Sequence, residues 1–298
     1  MWVSLAFLSA LMLGLYDVAK KHSLKANAVL PVLWLNTLFS TIIFAPALID
    51  SVVGEGWLDG SVFATTTGSL HDHATVFLKA VMVLASWIFG YFGIKHLPIT
   101  IVGPINATRP VLTLVGAMII FGERLNGYQW VGVILAIVSL FLLSRSSKKE
   151  GINFAHNRWI LCVAASALIG VFCGLYDRHI MYSLNPVFVQ SWYTLYQFAL
   201  MTIIVAALWL PKRKEQPFHW SWAIPMISIL LTTADMAYLY ALRDSAAMIA
   251  VVSMIRRSSV LVSFGCGALV FGERNLKAKV LDLLLIFIGM IFLYIGSK

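Results

Sequence analysis

The 298-residue chain is 60% hydrophobic and only 12% charged, whereas soluble domains carry about 25% charged residues. This composition, with a mean hydropathy of +0.86, excludes a soluble globular protein and predicts an all-α integral membrane protein. The formal net charge of +9 does not predict nucleic-acid binding, because the sequence shows no polar surface of interleaved basic and aromatic residues. In a membrane protein this charge bears on orientation instead.

Apolar runs of membrane-spanning length predict ten transmembrane helices. Numbered span 1 to span 10, they cover about residues 2–22, 28–49, 74–94, 99–121, 127–144, 158–180, 186–210, 221–242, 246–270 and 278–296. The first run lacks a basic segment and a cleavage site, so we interpret it as span 1 rather than a signal peptide. A charged break predicts a first five-helix repeat at 1–144, a linker at 145–157 and a second repeat at 158–298.

Short sequence motifs recur in the two predicted repeats. Gly14-Leu15-Tyr16-Asp17 returns as Gly174-Leu175-Tyr176-Asp177, and Phe121-Gly122-Glu123-Arg124 returns as Phe271-Gly272-Glu273-Arg274. Because each half has an odd number of spans, the second half is predicted to enter the membrane upside down relative to the first. Two inverted five-helix repeats around a central cavity are typical of many secondary transporters.

Arginines lie near the middle of spans 4 and 9. Arg109 lies between Pro104 and Pro110 in span 4 together with Asn106, and Arg256 and Arg257 lie in span 9. A guanidinium at bilayer depth costs at least about 2.5–3.5 kcal/mol, so such residues normally face a cavity or a partner. The two prolines remove backbone donors, which places span 4 on a cavity wall and makes it the better candidate for a flexing element.

Three carboxylates could complement these arginines. Asp17 and Asp177 end spans 1 and 6 and can pair with neighbouring bases, namely Lys20 or Lys21 for the first and Arg178 for the second. Asp235 lies in the middle of span 8 and is the better candidate for a proton or cation site. The alternative is that all three hold the arginines in structural ion pairs. Three cations against few carboxylates favour a substrate role for at least one arginine.

Aromatic and amide side chains at membrane depth complete the predicted site. They can stack on a ligand or donate to it, although an apolar packing role is common for any single aromatic residue. The predicted side walls are Trp87, Tyr91, Trp192, Tyr196 and Tyr238, with Asn36 as a further polar residue. The sequence His71-Asp72-His73 is interpreted as a solvated loop, and three cysteines without metal spacing predict no metal or cofactor.

The chain resembles the drug/metabolite transporter superfamily, in its ten-helix type with two EamA repeats. The resemblance rests on Gly122-Glu123-Arg124 and Gly272-Glu273-Arg274 after spans 4 and 9, with Pro110 preceding the first; Val260 replaces the corresponding proline in span 9. It implies a cavity lined mainly by spans 3, 4, 8 and 9, gates formed by spans 1, 2, 6 and 7, and spans 5 and 10 at the back.

These observations favour a secondary transporter for a small polar, anionic or zwitterionic metabolite, without enzymatic activity. The expected partners are a small-molecule substrate, the lipid bilayer and a coupling proton or cation; monomer and dimer both stay open. A flippase for lipid headgroups or lipid-linked sugars is the alternative within transport, and an intramembrane enzyme or receptor is the alternative of another class. Fourteen Lys and Arg residues on one side against five on the other predict a multi-pass protein of the cytoplasmic membrane with both termini outside.

Overall fold

The structure is a computed structural model, and it describes most of the chain. The described residues are 2–25, 27–54, 56–109, 111–112, 126–148, 156–181, 183–215, 217–243, 252, 255–256, 258–271 and 276–296. Within these ranges the chain forms α-helices and contains no strand. The Glu123 tetrad and most of the Glu273 tetrad lie outside the described residues.

Eleven α-helices are described in chain order, and their number applies to these ranges alone. In the first half they are α1 (Trp2–Leu24), α2 (Val29–Ile43), α3 (Ala45–Val53), α4 (Leu70–His96), α5 (Ile99–Ala107) and α6 (Gly127–Lys148). In the second half they are α7 (Arg158–Met181), α8 (Pro186–Ile204), α9 (Ala223–Arg243), α10 (Ser259–Phe271) and α11 (Leu276–Gly296). A π-turn at Val205–Trp209 and a 3-10 turn at Leu210–Lys212 extend α8.

Span length and apolarity support a multi-pass membrane protein. Five described helices are long and apolar enough to cross a bilayer, namely α1, α4, α7, α8 with its extension, and α9 up to Ala241. A sixth span results if α2 and α3 cross together, and they bend by 55° at Phe44. Pro46 explains the bend, because its ring nitrogen cannot donate to the carbonyl of Ile42.

The helix α4 begins earlier than the hydropathy pattern predicted. Ser69 and Asp72 form a capping box, in which the Asp72 backbone N–H donates to Ser69 Oγ at 3.3 Å and the Ser69 backbone N–H donates to Asp72 Oδ2 at 2.9 Å. This cap satisfies two free backbone donors of the helix start. The interpretation of His71–His73 as a loop was therefore wrong, because these residues form the first turn of α4.

The helices pack more extensively on the other half of the chain than on their own half. The most extensive contacts join α6 to α11, α1 to α9, and α4 to α7. Close approach needs glycine at Gly14, where a Cβ would lie 2.5 Å from Val262 Cβ and 2.8 Å from the Ser259 carbonyl oxygen. The core therefore lies between the halves, and its polar part forms the site described next.

Candidate functional site

A cavity of about 220 Å³ lies between the two halves of the chain. Its described walls come from α1, α4, the end of α5, α7, α8, α9 and the start of α10. No described residue of α2, α6 or α11 lines it. The family resemblance implied spans 3, 4, 8 and 9 as the main walls, and the structure adds α1 and α7 (spans 1 and 6) as equal contributors.

Arg109 joins the two halves at this cavity. It follows the end of α5, and its Nη2 donates to the Ser166 carbonyl oxygen on α7 at 3.3 Å. The guanidinium lies directly against Gly170, where a Cβ would stand 2.6 Å from Nη1 and 2.7 Å from Cζ. A glycine at this position on α7 is what allows the arginine to reach into the second half.

Arg256 enters the same cavity from the second half. It lies just before α10, and its Nη2 donates to Asp235 Oδ1 on α9. Its Cζ lies 4.1 Å from the centre of the Tyr238 ring, which is within the range of a cation–π contact. Both side chains of this ion pair are 16% exposed, so the pair remains in contact with the cavity.

A second ion pair lies near the end of α1. Lys20 Nζ is 2.7 Å from Asp17 Oδ1, three residues earlier on the same helix. The ammonium also lies over the rings of Tyr16 and Tyr91, at 4.3 and 5.1 Å from their centres. The Tyr16 hydroxyl donates to the Tyr91 hydroxyl at 3.3 Å, which ties α1 to α4 at this depth.

A third ion pair joins α4 to α7. Lys79 Nζ lies 2.7 Å from Asp177 Oδ1, and the Lys79 residue is only 4% exposed. The ammonium is 5.1 Å from the centre of the Tyr193 ring on α8. Asp177 therefore pairs across the two halves with Lys79 and is not limited to a base on its own helix.

The charges of the described lining residues sum to a positive value. Four cationic side chains line the cavity, namely Lys20, Lys79, Arg109 and Arg256. Three carboxylates face them, namely Asp17, Asp177 and Asp235. One positive charge of this set is therefore not balanced by a lining carboxylate.

Most of the residues predicted from the sequence meet at this cavity. Those lining it are Asp17, Trp87, Tyr91, Asn106, Arg109, Asp177, Asp235, Tyr238 and Arg256. Pro104 lies inside α5 as predicted and is not part of the lining. Arg257 and Pro110 lie outside the described residues.

Three of the predicted wall residues lie elsewhere. Asn36 is fully buried between α2 and α9, where Ser228 Oγ donates to its Oδ1 at 2.9 Å. Trp192 Nε1 donates to Ser51 Oγ at 3.0 Å, and the Tyr196 hydroxyl lies 2.9 Å from His73 Nδ1. These three side chains contact neighbouring helices and not the described cavity.

The segment 56–69, which we call the strap, contacts α8 and α9. Asn185 Nδ2 at the start of α8 donates to the Ala64 carbonyl oxygen at 3.2 Å, and the Tyr240 hydroxyl on α9 donates to that of Val62. Gly68 packs against the Phe188 ring so closely that no Cβ would fit. The strap therefore binds a loop of the first half to helices of the second.

The sequence interpretation did not assign every lining residue to the site; among those it left out are Lys20, Lys79, Ser166, Gly170 and Tyr193. Lys79 was counted with a connection because the predicted span began only five residues earlier. The available signal was its place between apolar runs on both sides, in Val76-Phe77-Leu78-Lys79-Ala80-Val81-Met82. Nothing in the local sequence marks Gly170 as a cradle for Arg109.

A charged cavity between membrane-length helices of both halves is the arrangement expected of a membrane transport protein. A model of the EamA-like transporter family matches residues 1–145 and 157–295, so the chain belongs to this family and carries two of its repeats. The resemblance to EamA-type drug/metabolite transporters is thus confirmed. Members of this family are transporters and not enzymes.

One solved structure, described only as the crystal structure of a protein, is similar along the whole chain. It is 16% identical with a TM-score of 0.65, and the match covers 100% of this chain and 98% of that one. At this identity the likeness extends to the fold alone. No curated protein matches the sequence.

Proposed function

We propose that this protein is a secondary transporter that moves a small anionic or zwitterionic metabolite across the cytoplasmic membrane by alternating access. The observation that carries the proposal is the excess of cations over carboxylates among the described lining residues. Charges in a low-dielectric cavity interact strongly, so a ligand with one negative group is favoured there. A guanidinium fork matches the geometry of a carboxylate or phosphate.

Asn106 supports a ligand that also carries a hydrogen-bond donor. Its Oδ1 atom is buried and finds no hydrogen-bond partner among the described residues, although it lines the cavity. It lies one helical turn before Arg109, so both side chains can reach one small ligand. An ammonium or hydroxyl group on the ligand would satisfy this oxygen, because a buried acceptor without a partner costs about 1–3 kcal/mol.

Asp235 is the proposed coupling residue. Its carboxylate holds Arg256 in the described state. A ligand anion that engages Arg256 competes with Asp235 for the same guanidinium. The released carboxylate can then bind the coupling proton or cation.

The first experiment is a thermal-shift screen of the purified protein against anionic, zwitterionic and cationic metabolites, since a bound ligand raises apparent stability. Each ligand found is then tested for uptake into liposomes containing only this protein. Arg109→Gln should weaken binding by about 10- to 150-fold, the range of a charge-assisted hydrogen bond of about 1.5–3 kcal/mol. Arg213→Gln is the matched control, because Arg213 is exposed on the turn after α8 and does not line the cavity.

Two results would contradict this proposal. If Arg109→Gln lowers the folded yield but the surviving protein binds the ligand normally, the arginine is a structural partner. If liposomes exchange a labelled lipid between leaflets but take up no soluble solute, the protein is a flippase.

For orientation we propose that both termini lie outside. The structure places Lys79 inside the protein and not on a loop. Lys79 was one of the five Lys and Arg residues counted on the side of the membrane that has fewer of them. Lys20, counted on the other side, is buried as well, so thirteen Lys and Arg residues stand against four, and the comparison still favours both termini outside.

A further inference from the structure

The interface between α4 and α7 has a close-packed half near the C-terminal end of α4. Ser86 Oγ donates to the Ser166 carbonyl oxygen at 2.9 Å, and a Cβ on Gly90 would lie 3.0 Å from Ser166 Oγ. Val163 packs so closely on Gly93 that no Cβ would fit there. Small side chains and direct backbone approach make this half difficult to separate, because any gap forfeits its packing contacts.

The other half of the same interface is polar. Towards the N-terminal end of α4, the Lys79–Asp177 ion pair spans the two helices at 2.7 Å. One helical turn nearer the N-terminus of α4 than Lys79, the Thr75 carbonyl oxygen accepts a hydrogen bond from the Tyr176 hydroxyl at 3.2 Å. Polar contacts of this kind can be exchanged for water or for a ligand when the helices part.

The ion pairs of the cavity are unequal at its two ends. We call them the Lys79 end, where α4 begins, and the Asp17 end, where α1 and α4 finish side by side. Asp17 and Asp177 occupy the same position of the repeated Gly-Leu-Tyr-Asp motif. Asp177 pairs across the repeats with Lys79, whereas Asp17 pairs with Lys20 on its own helix. Among the described residues, an ion pair therefore links the repeats at the Lys79 end and not at the Asp17 end.

We propose that the Lys79–Asp177 pair is a latch that keeps the Lys79 end of the cavity closed and must part whenever that end opens. This inference rests on the proposed alternating-access transport, and it adds Lys79 to the residues that govern the cycle. Removing one partner leaves a buried charge uncompensated, which favours the open, hydrated arrangement of this end. Exchanging the two charges keeps the latch.

The native thiol of Cys173 is the reporter for this latch. Cys173 lines the cavity, is only 8% exposed, and precedes Asp177 by one helical turn on α7. The test uses Cys162→Ser/Cys266→Ser protein in sealed vesicles, with a membrane-impermeant maleimide added at the face where α4 begins. The quantity measured is the rate of Cys173 labelling without any substrate.

We expect Lys79→Gln and Asp177→Asn each to raise this rate about tenfold, which corresponds to about 1.4 kcal/mol between the closed and open ends. The double variant Lys79→Asp/Asp177→Lys should return it to within about twofold of the parent protein. Arg213→Gln, on an exposed residue that does not line the cavity, is the control and should leave labelling from this face unchanged. Equal rates in the single variants and the parent would overturn the latch, as would a double variant that labels as fast as the single ones.

A second measurement covers the case in which the single variants do not fold. Lys79→Cys/Asp177→Cys, in protein with all three native cysteines replaced, is bridged by a short reducible bis-methanethiosulfonate reagent. Bridged protein should lose transport and regain it on reduction; full transport by the bridged protein would overturn the latch. The labelling assay measures the accessibility of Cys173 without any substrate. Its result can therefore be interpreted even if the transported ligand is not an anion.

Discussion

Gly170→Ala is the most direct perturbation of the Arg109 site, because it leaves every charge in place. A Cβ at residue 170 would lie 2.6 Å from Arg109 Nη1, well inside ordinary van der Waals contact. The guanidinium must therefore move by about 1 Å, which disrupts the bond from Nη2 to the Ser166 carbonyl oxygen at 3.3 Å. The displaced guanidinium no longer lies where it would meet the ligand anion. A hydrogen bond from a charged group to the ligand contributes about 1.5–3 kcal/mol, so ligand affinity should fall by about 10- to 150-fold.

The bond to Ser166 is internal to the protein, so its disruption also lowers the unfolding free energy. Replacing glycine by alanine inside a helix gains about 0.5–1 kcal/mol, which offsets part of the cost of moving the arginine. Ligand affinity is measured by titrated thermal shift, and folded yield by size-exclusion chromatography in detergent. Gly265→Ala on α10 is the matched control, because a Cβ there meets nothing within 4 Å and the residue does not line the cavity. Unchanged affinity in Gly170→Ala, with Arg109→Gln still defective, would refute the argument that the cradle positions the guanidinium.

Three further predictions follow from other contacts. Asp235→Asn should abolish concentrative uptake but leave exchange of substrate partly intact, because Arg256 remains while the carboxylate is lost. Uphill transport at the normal rate would show that Asp235 has a structural role. Ser228→Ala removes the donor to buried Asn36, so it should lower the unfolding free energy by about 1–3 kcal/mol and leave ligand affinity unchanged. An unchanged melting temperature would contradict this prediction. A C-terminal reporter that is active only in the cytoplasm should stay inactive, whereas an active one would reverse the proposed orientation.

The sequence shows which polar residues lie within apolar runs, but it does not show the direction in which each side chain points from its helix. Hydropathy and the charged residues singled out Arg109, Arg256 and Asp235, and all three line the cavity. Asn36 and Trp192 were also singled out, but which neighbour each faces depends on the rotation of α2 and α8. That rotation is set by packing between the two halves, which no local pattern records.

Two other differences have separate causes, one local and one long-range. The start of α4 was recognisable in Ser69 and Asp72, since a serine followed three residues later by an acid marks a helix start even where hydropathy is low. The partner of Asp177 was not recognisable, because Lys79 lies about one hundred residues away in the chain. Pairing across the repeats is a property of the assembled fold.

The contact between α1 and α9 has a consequence for the time course of synthesis. Ser9 Oγ donates to the Ala234 carbonyl oxygen at 2.6 Å, and 225 residues separate the two positions. At about 5–20 residues per second, α1 enters the membrane roughly 10–45 s before its partner helix exists. During this interval Asp17 already has Lys20 on its own helix, so its charge is compensated from the moment of insertion.

Asp177 is made after Lys79 and therefore finds its cation already in the membrane. Asp235 precedes Arg256 by 21 residues, so its carboxylate waits about 1–4 s for its partner. The order of the residues along the chain thus keeps each buried carboxylate without its cation for seconds at most while the protein is being inserted.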